Sequence, residues 1–184
     1  NINMIKSILP SFAEATKPTI KRHIEERILK THPNHLFQII TDVDSYHHFL
    51  PLCTGSKVLR YSPCGTMFDA SLSVGLNSTL CEEYVSRVKV DKNQLIVKSK
   101  SIKSSAIESL SSTWKLKEVS PILDLNMAKN NGLDESTKWS RVQFEVKMTV
   151  SDPVMNMMLD QVWEDVARGQ VNAFEERCRD LQLI

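Results

Sequence analysis

From residue 68 to residue 150, apolar and polar side chains change places with a period of two. Phe68, Ala70, Leu72 and Val74 alternate with Asp69, Ser71 and Ser73, and Tyr84, Ser86, Val88 and Val90 with Val85, Arg87 and Lys89. Residues 95–102 are β-prone, and Leu110, Ser112, Trp114 and Leu116 line one face of the next run. The clearest run sets Val142, Phe144, Val146, Met148 and Val150 against Gln143, Glu145, Lys147 and Thr149. Successive strand side chains point to opposite faces, so this pattern predicts a sheet with one dry and one wet face. Pro63-Cys64-Gly65, Gly75-Leu76-Asn77 and Asp91-Lys92-Asn93 read as turns, and short connections make neighbouring strands antiparallel.

On either side of this block the period changes. Ile20, Ile24, Ile28 and Leu29 predict an opening strand over residues 20–31. Pro33, then Leu36, Phe37, Ile39 and Ile40, predict a short helix to about Asp42. Asp44 or Ser45 is expected to cap a second short helix that Pro51 ends. Residues 120–139, rich in Asn, Lys, Asp, Glu and Ser, predict an exposed loop. Asp152-Pro153 opens a last helix whose apolar stripe is Met155, Met158, Leu159, Val162, Val166, Ala173, Phe174, Cys178 and Leu181. Thirty residues at ~1.5 Å each make a rod of roughly 45 Å. Gly169 interrupts it, which predicts a close approach to the sheet or to a ligand.

This order predicts an α+β fold of the helix-grip kind, a curved antiparallel sheet wrapped around the long C-terminal helix. A curled sheet need not touch the helix everywhere, and the gap is an apolar cavity. Its candidate lining is Phe68, Leu72, Val74, Leu110, Trp114, Phe144, Val146, Met148, Val162 and Val166, with Met155, Met157 and Met158 as an adaptable surface. For each of these, core packing is the competing role. Tyr46, Phe49, Pro51 and Leu52 are candidates for a lid or membrane-touching segment, or for a seal on the end of the core.

Composition narrows the function. A chain of 184 residues is about one domain; residues 20–184 are assigned to it, and residues 1–19 read as a flexible arm or the remnant of a targeting region. A formal charge of +1 gives no electrostatic reason to expect nucleic acid. No apolar run reaches the ~18–20 residues that span a membrane, so membrane contact would be peripheral. Cys53, Cys64, Cys81 and Cys178 form no Cys-x-x-Cys pair and read as reduced thiols. His47 and His48 are adjacent on a helix and do not share a face, so neither metal nor acid–base work is assigned to them. Glu82, Glu83 and Glu108 are the candidate general bases, and no second group pairs with them in the sequence. No catalytic cofactor or metal is expected.

Several segments resemble one family. Tyr46-x-x-Phe49-x-Pro51-x-Cys53 is similar to a motif of the mitochondrial coenzyme Q-binding family, a START-like branch of the polyketide cyclase-like superfamily. Val74-Gly75-Leu76, Glu83 to Val88, Leu110 to Leu116, Phe144-Glu145-Val146 and Ala173 to Cys178 resemble further motifs in the same order. Leu52 stands where many mitochondrial members have Trp, and Leu76 where Phe is usual. The resemblance implies a non-enzymatic protein that binds coenzyme Q (ubiquinone) and delivers it for respiration and for coenzyme Q biosynthesis. It implies the matrix side of the mitochondrial inner membrane, and it adds Leu76 to the ligand-binding candidates. Residues 46–55 also resemble a bacterial ribosome-association toxin, and enzymes of cyclase or dehydratase type share the fold. A basic outer face would favour the ribosomal alternative, and an acid–base pair inside the cavity the enzymatic one.

Overall fold

The computed structural model describes residues 18–75, 81–104, 107–120 and 138–183. Strand β1 (Thr19–Leu29) leads into helix α1 (Pro33–Thr41) and a 3₁₀ helix (Val43–His48). Six strands follow: β2 (Cys53–Tyr61), β3 (Met67–Gly75), β4 (Cys81–Asp91), β5 (Ile96–Lys103), β6 (Ile107–Val119) and β7 (Trp139–Val150). Helix α2 (Pro153–Asp180) closes the chain. The strands form one curved seven-stranded sheet in the order β1-β7-β6-β5-β4-β3-β2, antiparallel throughout. The alternating runs become β3, β4, β6 and β7, with their apolar residues on the concave face toward α2. The expected arm, the loop at 120–139 and the Gly75-Leu76-Asn77 turn lie wholly or largely outside the described residues.

Capping fixes the helix starts. The His32 ring accepts the Asn34 N–H at 3.1 Å, and Pro33 takes the first turn of α1. At α2 the Asp152 carboxylate accepts the Met155 N–H at 2.7 Å ahead of Pro153. The short helix departs from expectation. Asp44 and Ser45 lie inside it rather than at its cap, and it ends at His48, before Pro51. The Asp44 carboxylate accepts the Val58 N–H at 2.6 Å, so it ties the helix to β2 instead of starting it.

The core gathers where α2 crosses the sheet. Phe174 meets Trp114 at 4.9 Å, Phe49 at 5.3 Å and Tyr46 at 5.4 Å between ring centroids. Trp114 lies on Phe144 at 4.3 Å. Such rings contribute most of a core's apolar area, and edge-on pairs add about 1 kcal/mol each.

β1 runs against the simple rule. Its residues opposite Met148, Val146, Phe144 and Val142 are Lys21, His23, Glu25 and Arg27, so its inward side is polar. Ile20 and Ile24 point outward and are exposed. The polar side meets α2: Lys21 donates to Asp160, His23 lies 3.0 Å from Glu164, and Arg27 donates to Asn172. The flank of α2 covers this side, leaving Lys21 buried, so polar contacts with the helix rather than apolar packing set the face of the strand.

The convex face carries cations in register. One row across the sheet reads Asp69, Arg87, Lys100, Ser111, Lys147 and Arg22. The next reads Met67, Lys89, Lys98, Thr113, Glu145 and Ile24. Asp69 is held by Arg60 and Arg87, whose hydrogen bonds draw its pKa down to about 2. Lys89 and Lys98 stand directly opposite with no acid between them, an arrangement that is destabilising in itself.

Candidate functional site: a two-chambered cavity under the long helix

Two joined chambers lie between the concave face and α2. In the outer one, residues 50–53 form a side wall, Leu72, Val74, Val146 and Met148 the floor, and Met155, Leu159, Trp163 and Ala167 the roof. Its volume is about 120 Å³. The inner chamber, about 110 Å³, runs under Ile40, Val43 and Tyr46 to Trp114 and Phe174. Leu50, Leu72, Tyr84, Leu110, Val146 and Gln170 line both and form the waist. A dry apolar cavity of roughly 150 Å³ accepts one benzene, so each chamber takes about one ring-sized group.

The chambers differ in polarity. The outer lining is apolar apart from Cys53, Glu82, Tyr84 and Gln170. The Glu82 carboxylate accepts the Ser104 hydroxyl at 2.7 Å. The inner chamber adds Ser86, Ser99 and Ser112, with the last two hydroxyls 2.8 Å apart. Burial pushes the Tyr84 hydroxyl and the Cys53 thiol above their ordinary values, so both stay protonated near neutrality. Among the described residues no group of three or more His, Cys, Asp or Glu is placed to hold a metal.

The candidate lining divides. Pro51, Leu52, Leu72, Val74, Leu110, Val146, Met148 and Val166 line the outer chamber. Tyr46 and Trp114 line the inner one. Phe49, Phe68, Phe144, Met158 and Val162 line neither chamber, and Leu76 lies outside the described residues. Phe144 packs behind Trp114, Phe49 packs on Phe174 under Arg177, and Phe68 packs on Tyr61 at the far end of the sheet. The helix errors are of phase. Met155, Leu159, Trp163, Val166, Ala167, Gln170 and Phe174 keep one face at spacings near 3.6, and Met158 and Val162 fall beside it.

The suspected lid separates into two parts. Tyr46 and Phe49 belong to the aromatic core. The Tyr46 hydroxyl donates to the Ile40 carbonyl, which leaves it committed to the fold, and burial raises its pKa. Pro51 is exposed yet lines the outer chamber, which places it on the rim. Leu52 adopts φ 64°, a left-handed backbone that costs a non-glycine residue about 1–2 kcal/mol. Its carbonyl accepts the Gly75 N–H at 2.9 Å, which pins the turn into β2. Gly169 faces this segment and not the sheet: an added Cβ would meet Pro51 at 3.7 Å, ordinary contact.

Leu50, Glu82, Tyr84, Ile107, Trp163 and Gln170 were not on the candidate lining. Tyr84 carries a signal, since it shares its strand face with Val88 and Val90. Glu82 and Gln170 carry none, because a polar residue in an apolar wall reads as one of the wet face.

Comparison with known proteins agrees with this geometry. Residues 29–175 match the family described as polyketide cyclase / dehydrase and lipid transport. The mitochondrial coenzyme Q-binding protein of Schizosaccharomyces pombe is 34% identical over 83% of this chain and 84% of its own. The ribosome association toxin RatA of Escherichia coli is 24% identical over 79% of each chain. A START superfamily protein from Mycobacterium smegmatis superposes with a TM-score of 0.66 at 12% identity, over 87% of this chain and 98% of its own, a likeness of fold. The grip of a curved sheet on one long helix, the cavity beneath it and these matches agree: the chain belongs to the polyketide cyclase / dehydrase and lipid transport family, within its START-like coenzyme Q-binding branch.

Proposed function

We propose that this protein binds coenzyme Q without chemically altering it and delivers it for respiratory electron transport and for coenzyme Q biosynthesis. The observation that carries this reading is the cavity: a ring-sized inner space with hydroxyls, joined to an apolar outer space that ends at an exposed rim. A benzoquinone fits the first, and isoprenoid carbons suit the second at about 0.8 kcal/mol per buried CH₂. Neither chamber holds a long tail, so most of it leaves past the rim. Val154 and Met157 are 61% and 60% exposed on the first turns of α2, next to lining residues Met155 and Leu159. They form an exposed apolar patch at the Met155 end of the outer chamber, fit for peripheral contact with a membrane. The mitochondrial name of the Schizosaccharomyces pombe relative supports the mitochondrion as the place of action, and we propose the matrix side of the inner membrane.

An enzymatic reading needs an acid–base pair within reach of a substrate. Among the described residues lining the cavity Glu82 is the carboxylate, and it accepts a hydrogen bond from the Ser104 hydroxyl. Purification from a quinone-making host, lipid extraction and mass spectrometry test the main reading. Roughly equimolar quinone is expected; recovery of neither quinone nor isoprenoid would sink it.

The convex face supports a second reading. Lys89, Lys98, Lys100 and Lys147 project from the side opposite the cavity, and RatA is named for ribosome association. Phosphate contacts by such a face would make binding to ribosomal RNA fall steeply with salt. Undetectable RNA binding at about 50 mM salt ends this reading.

A further inference from the structure

The inner chamber holds polar groups that the fold does not use. Ser86 is buried, yet its hydroxyl has no hydrogen-bond partner among the described residues. The Tyr84 hydroxyl and the Gln170 carboxamide are likewise without one, and both residues line the waist. Their neighbours are satisfied: Ser99 pairs with Ser112, Ser101 accepts the Leu110 N–H at 2.8 Å, and Tyr46 donates to Ile40. Buried polar groups are paired in all but a few cases, so the buried Ser86 hydroxyl, with the half-buried Tyr84 and Gln170 beside it facing the same ring-sized space, needs an explanation. The outer chamber shares Tyr84 and Gln170 and adds the unpaired Trp163 Nε1–H, but it has no counterpart to the hydroxyls of Ser86, Ser99 and Ser112, and its Glu82 carboxylate accepts from Ser104.

We infer that the inner chamber is the head-group subsite, and that the lipid enters ring first. Tyr84 and Ser86 donate hydroxyl hydrogens to oxygens on the ring, and the Gln170 carboxamide at the waist serves either a carbonyl or a hydroxyl. The site therefore takes a small ring bearing carbonyl or hydroxyl oxygens and discriminates it from a plain isoprenoid hydrocarbon. Trp114 and Phe174 lie among the inner lining, and the tail runs from there past Leu110 at the waist into the outer chamber and over Pro51. This inference rests on the coenzyme Q reading and adds an orientation to it. Glu82 faces only the tail in this arrangement.

Two probes separate the inference from the reading beneath it: a quinone with two isoprene units, and an isoprenoid hydrocarbon of matching length. Wild-type protein is expected to bind the quinone more tightly. Tyr84→Phe keeps the ring and removes the hydroxyl, and is expected to weaken the quinone about five- to tenfold while leaving the hydrocarbon unchanged. The double variant Tyr84→Phe, Ser86→Ala should weaken the quinone further and narrow its advantage over the hydrocarbon, leaving the part due to Gln170. Equal losses for both probes, or no loss for either, overturn the head-group subsite. If wild type binds neither probe, the coenzyme Q reading fails with it. Infrared spectroscopy needs no variant: the carbonyl stretch of bound quinone should lie below that of the quinone in an apolar solvent. An unshifted stretch counts against hydrogen bonding at the ring.

Discussion

The two faces of this sheet are made from the same strands and obey different rules. On the concave face cross-strand neighbours are Val90 with Val97 and Trp114 with Phe144, packed against α2. On the convex face Lys89 faces Lys98, and Arg87 faces Lys100. The concave face is set by burial and its pairs stabilise. The convex face tolerates like charges because water screens them. Near-neutral net charge hides this polarity: α2 carries six carboxylates against three arginines, while lysines collect on the far side of the sheet. A charge total says little about partners when opposite signs occupy opposite sides.

The comparison breaks most readily from the concave side. Phe174→Ala removes the ring that joins Trp114, Tyr46 and Phe49, and should cost about 3–5 kcal/mol in denaturant unfolding. A loss under about 1 kcal/mol would mean that α2 is not held by this cluster. Leu110→Lys is next. It sets an unpaired charge at the waist, should destabilise by roughly 2–3 kcal/mol, and should abolish lipid retention. If the folded variant still carries quinone, the waist is not on the lipid's path. Lys98→Glu on the convex face should act in the opposite direction. Turning a repulsive pair with Lys89 into an attractive one raises stability by about 0.5 kcal/mol, read as a small rise in urea midpoint at constant m. The same change should weaken RNA binding if the second reading holds, and leave quinone content as it was.

How much of this was legible from sequence follows the same division. Alternation along 68–74, 84–90 and 142–150 located the dry face, because burial writes itself into a period of two. The sequence placed the long helix and its cap, since Asp152-Pro153 is a local signal. Its phase was less secure: Met158 and Val162 are as apolar as Met155 and Leu159, and only contact with the sheet decides between them. Ten of the sixteen suspected residues line a chamber, while Phe68, Phe144 and Phe49 pack against other rings. The lysine rows needed register, which pairs residues far apart in sequence. Polar cavity residues such as Gln170 were hidden because composition cannot separate a wet outside from a polar pocket.

The seam between β1 and α2 has a consequence for how the helix moves. Lys21, His23 and Arg27 hold Asp160, Glu164 and Asn172 through polar contacts, where the rest of the helix rests on apolar ones. When polar groups part, water takes each partner's place at little net cost, and no oily surface is bared. Parting this edge should carry almost no heat-capacity change, while lifting the Phe174 end would carry a large one. Added salt loosens the first edge and tightens the second. The helix is hinged along its length by two kinds of adhesive, and the side that yields in water can part while the other keeps the chain folded.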